Sequence, residues 1–316
     1  MEIEAKGIAI RFGPIALLEG VDLAMRGGEM VGLIGPNGSG KTTLLRVLAN
    51  LRAPEAGRVH YAGRTAAEIG TRELSRQIAY LAQGGAVHWP MRVETLVALG
   101  RLPHRRPFQG LDGADRHAIE QAMTAADIGS LRARTMGQVS GGERMRVLLA
   151  RALAVDARVL LADEPIAALD PLHQLQVMAL LRTIASEGRG VIVVLHDLAL
   201  ATRFCDRLIL LARGGILVEG APARVLTDAH VAEAYGVEVV RGERDGVPFL
   251  LPWKPSEKSE GEVSGAPPRT NSNFWPPRWP IMKRTGAWER SGRSPNSCAA
   301  RTSRLLSRAV APLSRR

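Results

Sequence analysis

Over the first 34 residues, short apolar runs alternate with glycine-rich turns, IAIRFG and then VDLAMRGGEMVGLI. This spacing predicts antiparallel strands leading into one fully apolar, buried strand, MVGLI. A helix is expected over residues 41–50, then a turn and hairpin in LRAPEAGRVHYAGR, then a second buried strand over residues 76–83, RQIAYLAQ. From about residue 88 to 150 the apolar spacing becomes helical, in MRVETLVALGRL, ADRHAIEQAMTAADI and GERMRVLLARALA, and predicts an inserted helical subdomain. The runs ARVLLADEP, LHQLQVMALLRTIASEG and GVIVVLHD and a final helix-strand unit restore the alternation of a parallel sheet. The fold class is therefore α/β: a parallel-sheet core, an N-terminal antiparallel β subdomain and an inserted α-helical subdomain. No internal repeat is present.

After Pro252 the periodicity fails, and residues 256–316 are rich in Ser, Pro, Gly and Arg with no sustained apolar face. That composition predicts a folded domain over 1–255 followed by a disordered basic tail. Within it, SRLLSRAVAPLSRR reads either as a short basic amphipathic helix for an anionic membrane surface or as a solvated extension. Four of the five tryptophans, Trp253, Trp275, Trp279 and Trp288, also fall late in the chain.

Charge sharpens this division. From Ser256 onward there are twelve Lys and Arg against four Asp and Glu, so most of the net +11 belongs to the tail and the folded part is nearly neutral. A basic face for nucleic acid is therefore not expected. Two cysteines, Cys205 and Cys298, make neither a disulfide framework nor a metal cluster, which fits a reducing compartment. MEIEAKGIAIRFG lacks the basic start and apolar stretch of a signal peptide, and runs such as VIVVL are too short to span a membrane.

The candidate chemistry begins directly after MVGLI. The segment GPNGSGKTT (Gly35, Pro36, Asn37, Gly38, Ser39, Gly40, Lys41, Thr42, Thr43) fits G-x-x-x-x-G-K-[ST], the loop that wraps nucleotide phosphates. Its glycines let successive N–H groups turn inward, and the following helix adds its partly positive N-terminus. Lys41 is expected on the β and γ phosphates, the Thr42 hydroxyl on Mg²⁺ and Thr43 on the α phosphate. The strand VLLADEP ends in Asp163 and Glu164, at the strand end where open α/β sheets bind ligands. Asp163 is expected to hold Mg²⁺ through its water shell, and Glu164 to polarise the attacking water. Such pairs also serve as helix caps. In VSGGERMRVLLARALA, Ser140 is a candidate helix cap, and the amides of Gly141 and Gly142 with the helix N-terminus form an anion site. Met145, Leu148, Leu149, Ala152 and Leu153 follow at helical spacing toward the core.

This set, in this order over most of residues 3–240, resembles the ATP-binding cassette family, a branch of the phosphate-loop NTPases whose Leu-Ser-Gly-Gly-Gln motif begins a helix. The resemblance implies an ATPase using ATP and Mg²⁺. Phe12 takes the place of the aromatic that stacks on adenine, Gln83 that of the glutamine sensing Mg²⁺ and water, and His196 that of the histidine contacting the γ phosphate. Asp170, in AALD, falls in the loop that crosses the dimer interface. Singly, Phe12 also reads as a hairpin core residue, Gln83 as a strand-end polar group and His196 as a satisfied histidine. Val139, Glu143 and Ile166 depart from the family's Leu, Gln and Ser or Thr. Glu143 adds a negative charge to the anion site, to be offset by Arg144 or Arg146.

One copy of each motif implies a head-to-tail homodimer in which Ser140, Gly141, Gly142 and Glu143 of one chain close over ATP held by the other. As a peripheral subunit at the cytoplasmic face of the plasma membrane, the chain would dock on separate permease subunits through the segment after Gln83, with a solute-binding protein as indirect partner. ETLVALGRLPHRRPF, VVLHDLALATRFCDRLILL, EGAPARVLT and AYGVEVV resemble importers of iron-siderophore, haem and cobalamin. Other metal or nutrient importers come next, and a soluble cassette acting on ribosomes or DNA follows.

Overall fold

Strands β1 (Ile3–Phe12) and β2 (Ile15–Met25) pair antiparallel, with Phe12 opposite Ile15 at the turn. The computed structural model describes residues 1–84, 90–106 and 108–256. Strand β3 (Met30–Ile34) is buried throughout and leads into helix α1 (Lys41–Leu48). Strands β4 (Ala56–Tyr61) and β5 (Arg64–Thr65) complete an antiparallel sheet of order β2-β1-β4-β5. The Tyr61 hydroxyl donates to the Leu48 carbonyl at 3.0 Å, which fastens this sheet to the end of α1.

The expected strand over residues 76–83 is shorter than its apolar pattern suggested. Two helices that the apolar pattern does not predict precede it, α2 (Ala66–Ile69) and α3 (Thr71–Gln77), so β6 runs only from Ile78 to Leu81. A capping box between Thr65 and Glu68 starts α2, while α3 buries Leu74 alone, too little apolar repeat to read as a helix.

Helices α4 (Val93–Ala98), α5 (Gly113–Ala125) and α6 (Gly141–Leu153) form the expected helical subdomain. Helix α6 buries Val147 and Ala150 besides most of the residues foreseen, so its apolar face is broader than the sequence suggested. Arg101 sits buried in a 3-10 turn (Leu99–Arg101) after α4. Its Nε donates to Asp115 Oδ1 at 2.8 Å and its Nη1 to the Ala154 carbonyl at 2.9 Å. His104 Nε2 lies 2.8 Å from the Val155 carbonyl. The phrase LGRLPH therefore locks α4, α5 and the end of α6 together, which gives these residues a structural role.

The alternation resumes with β7 (Val159–Asp163), α7 (Pro171–Ser186), β8 (Gly190–Val194), α8 (Leu198–Phe204) and β9 (Arg207–Ala212). Strand β10 (Gly215–Gly220) and helices α9 (Pro222–Val225) and α10 (Asp228–Tyr235) follow, then a hairpin of β11 (Val237–Arg244) and β12 (Val247–Pro255). Strand β12 thus continues past Pro252, where the periodicity of the sequence fails. The expected tail lies, Ser256 apart, outside the described residues, as do residues 85–89 of the proposed docking segment.

The large sheet has the order β10-β9-β3-β8-β7-β6, parallel from β9 to β6, with β10 antiparallel on the edge. Side chains alternate between two cores: Val31, Leu161, Ile192 and Ile209 face the antiparallel sheet and α1, while Met30, Leu160, Val191 and Leu208 face the helices. Burial on both faces explains why these strands read as continuous apolar runs. Among the described residues no helix is long and apolar enough to cross a membrane.

Replacing Arg101 with Ala should leave the Asp115 carboxylate buried without its partner. Breaking such a pair costs about 3–5 kcal/mol, which urea unfolding of the variant should register as a lowered midpoint.

Candidate active site

Four adjacent parallel strands end on the same edge of the sheet, and each delivers a polar group there. Strand β3 opens into the phosphate loop, β6 leads to Gln83, β7 ends at Asp163 and Glu164, and β8 leads through Leu195 to His196. A cleft of about 270 Å³ at this edge is lined by Leu17, Asn37, Gly38, Gly40, Lys41, Thr42, Thr43, Gln83 and Glu164.

Two glycines are required by the loop's geometry. Gly35 has φ +146°, and a Cβ there would lie 2.1 Å from the Leu211 carbonyl oxygen of β9. Gly40, at φ +96°, would meet Leu18 Cδ2 at 2.6 Å. The loop is pressed at one end against β9 and at the other against Leu18 of β2, so neither end has room for a side chain.

The residues present fit a polyphosphate. Helix α1 has no side-chain cap, which leaves its first N–H groups to face an anion. The Ser39 hydroxyl is buried without a hydrogen-bond partner. Lys41 Nζ donates to the Gly35 and Pro36 carbonyls at 2.8 Å each, and burial pushes its pKa down against the opposing pull of Glu164 and Asp163.

Asp163 is fully buried, and burial raises its pKa. The Thr42 hydroxyl donates to its Oδ1 at 3.0 Å and the Tyr80 hydroxyl to its Oδ2 at 3.3 Å. Tyr80 was not foreseen, although it lies three residues before Gln83, where a strand side chain reaches the same edge.

Glu164 holds the centre. Gln83 Nε2 donates to its Oε2 at 2.7 Å, and His196 Nε2 lies 2.6 Å from its Oε1. Both oxygens of one carboxylate are thereby fixed by residues from two other strand ends. The Glu164 backbone has φ +51°, the left-handed region, which a non-glycine residue adopts at a cost of about 1–3 kcal/mol when its surroundings enforce it.

The remaining candidates lie away from this cleft. Ser140 caps α6, with Glu143 closing a capping box, and neither they nor Gly141 and Gly142 line the cleft. Arg134, at 3.8 Å, is the nearest charge offsetting Glu143; of the two expected counter-charges Arg146, although paired with Asp127, also acts on it, whereas Arg144 donates to the Met136 carbonyl. The Ser140 backbone bond holds the Glu143 carboxyl below its usual range. Asp170 caps α7 by accepting from the His173 N–H at 3.0 Å. Phe12 stands exposed at the β1–β2 turn. Ile166 and Val139 are buried in the core, which accounts for apolar residues at both places. Leu17, unforeseen, forms an apolar wall of the cleft.

Residues 18–167 match the family described as ABC transporter. A hemin import ATP-binding protein of Pseudomonas entomophila is 40% identical, the match covering 75% of this chain and 94% of that one. A cobalamin import ATP-binding protein of Halobacterium salinarum is also 40% identical, over 77% of this chain. The match spans 61% of that relative's length. A dimeric bacterial ABC transporter cassette superposes with a TM-score of 0.63 at 29% identity, covering 70% of this chain and 98% of that chain. An inward-facing metal-chelate type ABC transporter shares the fold, with a TM-score of 0.69 at 21% identity over 79% of this chain and 97% of that one.

Substituting Gly35 with Ala should both lower the thermal midpoint and weaken nucleoside triphosphate binding at least tenfold, because the Leu211 carbonyl is backbone and cannot yield. Calorimetric titration alongside a melting curve checks both effects.

Proposed function

The chain belongs to the ABC transporter family, and from that premise we propose that it is the ATP-hydrolysing subunit of an importer. It powers uptake of a metal chelate, an iron-siderophore, haem or cobalamin, through separate membrane subunits. The observation that carries the catalytic part is Glu164 held by Gln83 and His196 beside the phosphate loop.

The loop amides, the start of α1 and Lys41 take the phosphate oxygens, and Phe12 stacks on the adenine. Thr42 and Asp163 would hold Mg²⁺, with Gln83 near its water shell, and that ion supplies neutralising charge across the phosphates. Among the described residues no cluster of three or more His, Cys, Asp or Glu exists to hold a metal without the nucleotide. Glu164 orients the attacking water and accepts its proton, and Gln83 and His196 keep the carboxylate aimed.

The site is completed by a second copy. Ser140 to Glu143 lie outside the chain's own cleft, capping α6, while a related cassette is dimeric. In the homodimer these residues of one copy close over the γ phosphate held by the other, and Asp170 lies at the boundary between them. Closure and release then drive the permease subunits, which receive cargo from a solute-binding protein. The hemin and cobalamin import relatives support the chelate class of cargo.

Glu164→Gln should reduce ATP turnover by about 10²–10⁴-fold while retaining ATP binding, and the ATP-loaded variant should elute as a dimer in size-exclusion chromatography. Turnover at the wild-type rate would remove Glu164 from its role. Cells lacking the chain should lose uptake of radiolabelled haem, cobalamin or a ferric siderophore, and unchanged uptake of all three would overturn the cargo class.

A further inference from the structure

The Phe12 ring has a partner that the motif does not include. The Arg52 guanidinium carbon stands 4.3 Å from the centre of the ring, while the ring side chain remains half exposed. An arginine over an aromatic face at this distance is held by the ring's negative π density. Among the described residues the guanidinium has neither an ion pair nor a side-chain hydrogen bond to draw it away. The nearby carboxylate of Glu55 is engaged, since it accepts from the Arg11 N–H at 3.0 Å.

The backbone fixes this placement from two sides. The N–H groups of Leu51 and Arg52 both donate to the Arg46 carbonyl in the last turns of α1, at 2.9 and 3.3 Å. Three residues on, the Glu55 N–H donates to the Ala9 carbonyl of β1 at 2.9 Å. Arg52 is thus carried on the segment that joins the end of the phosphate-binding helix to the strand bearing Phe12.

We infer that Arg52 is a base-platform residue: it backs one face of Phe12 and so prepares the other face to stack a purine base. Two physical effects act together. The cation draws π density toward itself, so the opposite face presents less negative charge to the π cloud of the base. The contact also restricts the ring's rotamers before the nucleotide arrives, which lowers the ordering cost of binding. This inference rests on the assignment of Phe12 to adenine and adds a residue to it.

The test is titration of the full chain with ATP and, separately, with inorganic triphosphate, which carries the phosphates without a base. Arg52→Ala should weaken ATP binding about two- to five-fold, the range of an exposed cation–π contact, and leave inorganic triphosphate binding unchanged. Arg52→Lys, which keeps the cation, should recover part of the loss. In a Phe12→Ala background the Arg52 substitution should have no further effect. Unchanged or tighter ATP binding by Arg52→Ala, while Phe12→Ala weakens it, would overturn the role of Arg52 alone. Equal loss for ATP and inorganic triphosphate would show a structural effect and also overturn it. If Phe12→Ala leaves ATP binding intact, the adenine assignment itself fails.

Discussion

Everything functional in this chain depends on the register of its parallel strands. Strands β3, β8, β7 and β6 are neighbours in space and end on one edge, and the first polar residues after their apolar runs meet there. Burial on both faces fixes that register, because a slip of one residue would exchange the two cores along the whole strand. The distances among Lys41, Asp163, Glu164, Gln83 and His196 are therefore set by hydrophobic packing as much as by polar contacts. The strained backbone at Glu164 is sustained by that scaffold and by two side-chain partners.

The site joins two kinds of support. Strand ends position Asp163, Glu164, Gln83 and His196, whereas the loop of residues 35–43 is shaped by close backbone approach to β9 at Gly35. Burial of the charged groups follows what each one does. Asp163 and Lys41 are enclosed, while Glu164 and His196 keep some access to solvent. Opposite charges in a partly desolvated cleft interact more strongly than in water, and Glu164 and Asp163 accordingly pull the Lys41 pKa up against the effect of its burial.

Much of this was legible in the sequence for a physical reason. Strands buried on both faces are unbroken apolar runs, and polar residues placed just beyond them must emerge at the sheet edge. Asp163, Glu164 and His196 announce themselves in that way. The pairing of Gln83 and His196 on the two oxygens of Glu164 could not be read, because apolar runs mark strands without saying which strand ends lie side by side, here in the order β8-β7-β6. Helices α2 and α3 were missed since only Leu74 is buried between them. The closing hairpin was obscured by Pro248, Pro252 and Pro255, which interrupt its alternation, while Leu250 alone among its residues is deeply buried. The importer-like phrase LGRLPH proved to hold helices together, so its information concerns the subdomain's shape.

Helix α1 is tied at its far end by the Tyr61 hydroxyl to the antiparallel sheet, and its near end is the phosphate loop itself. A strut fastened at both ends has little mechanical compliance. The loop of residues 35–43 and the antiparallel sheet that carries Phe12 are consequently joined through one helix, so a shift of either is passed to the other.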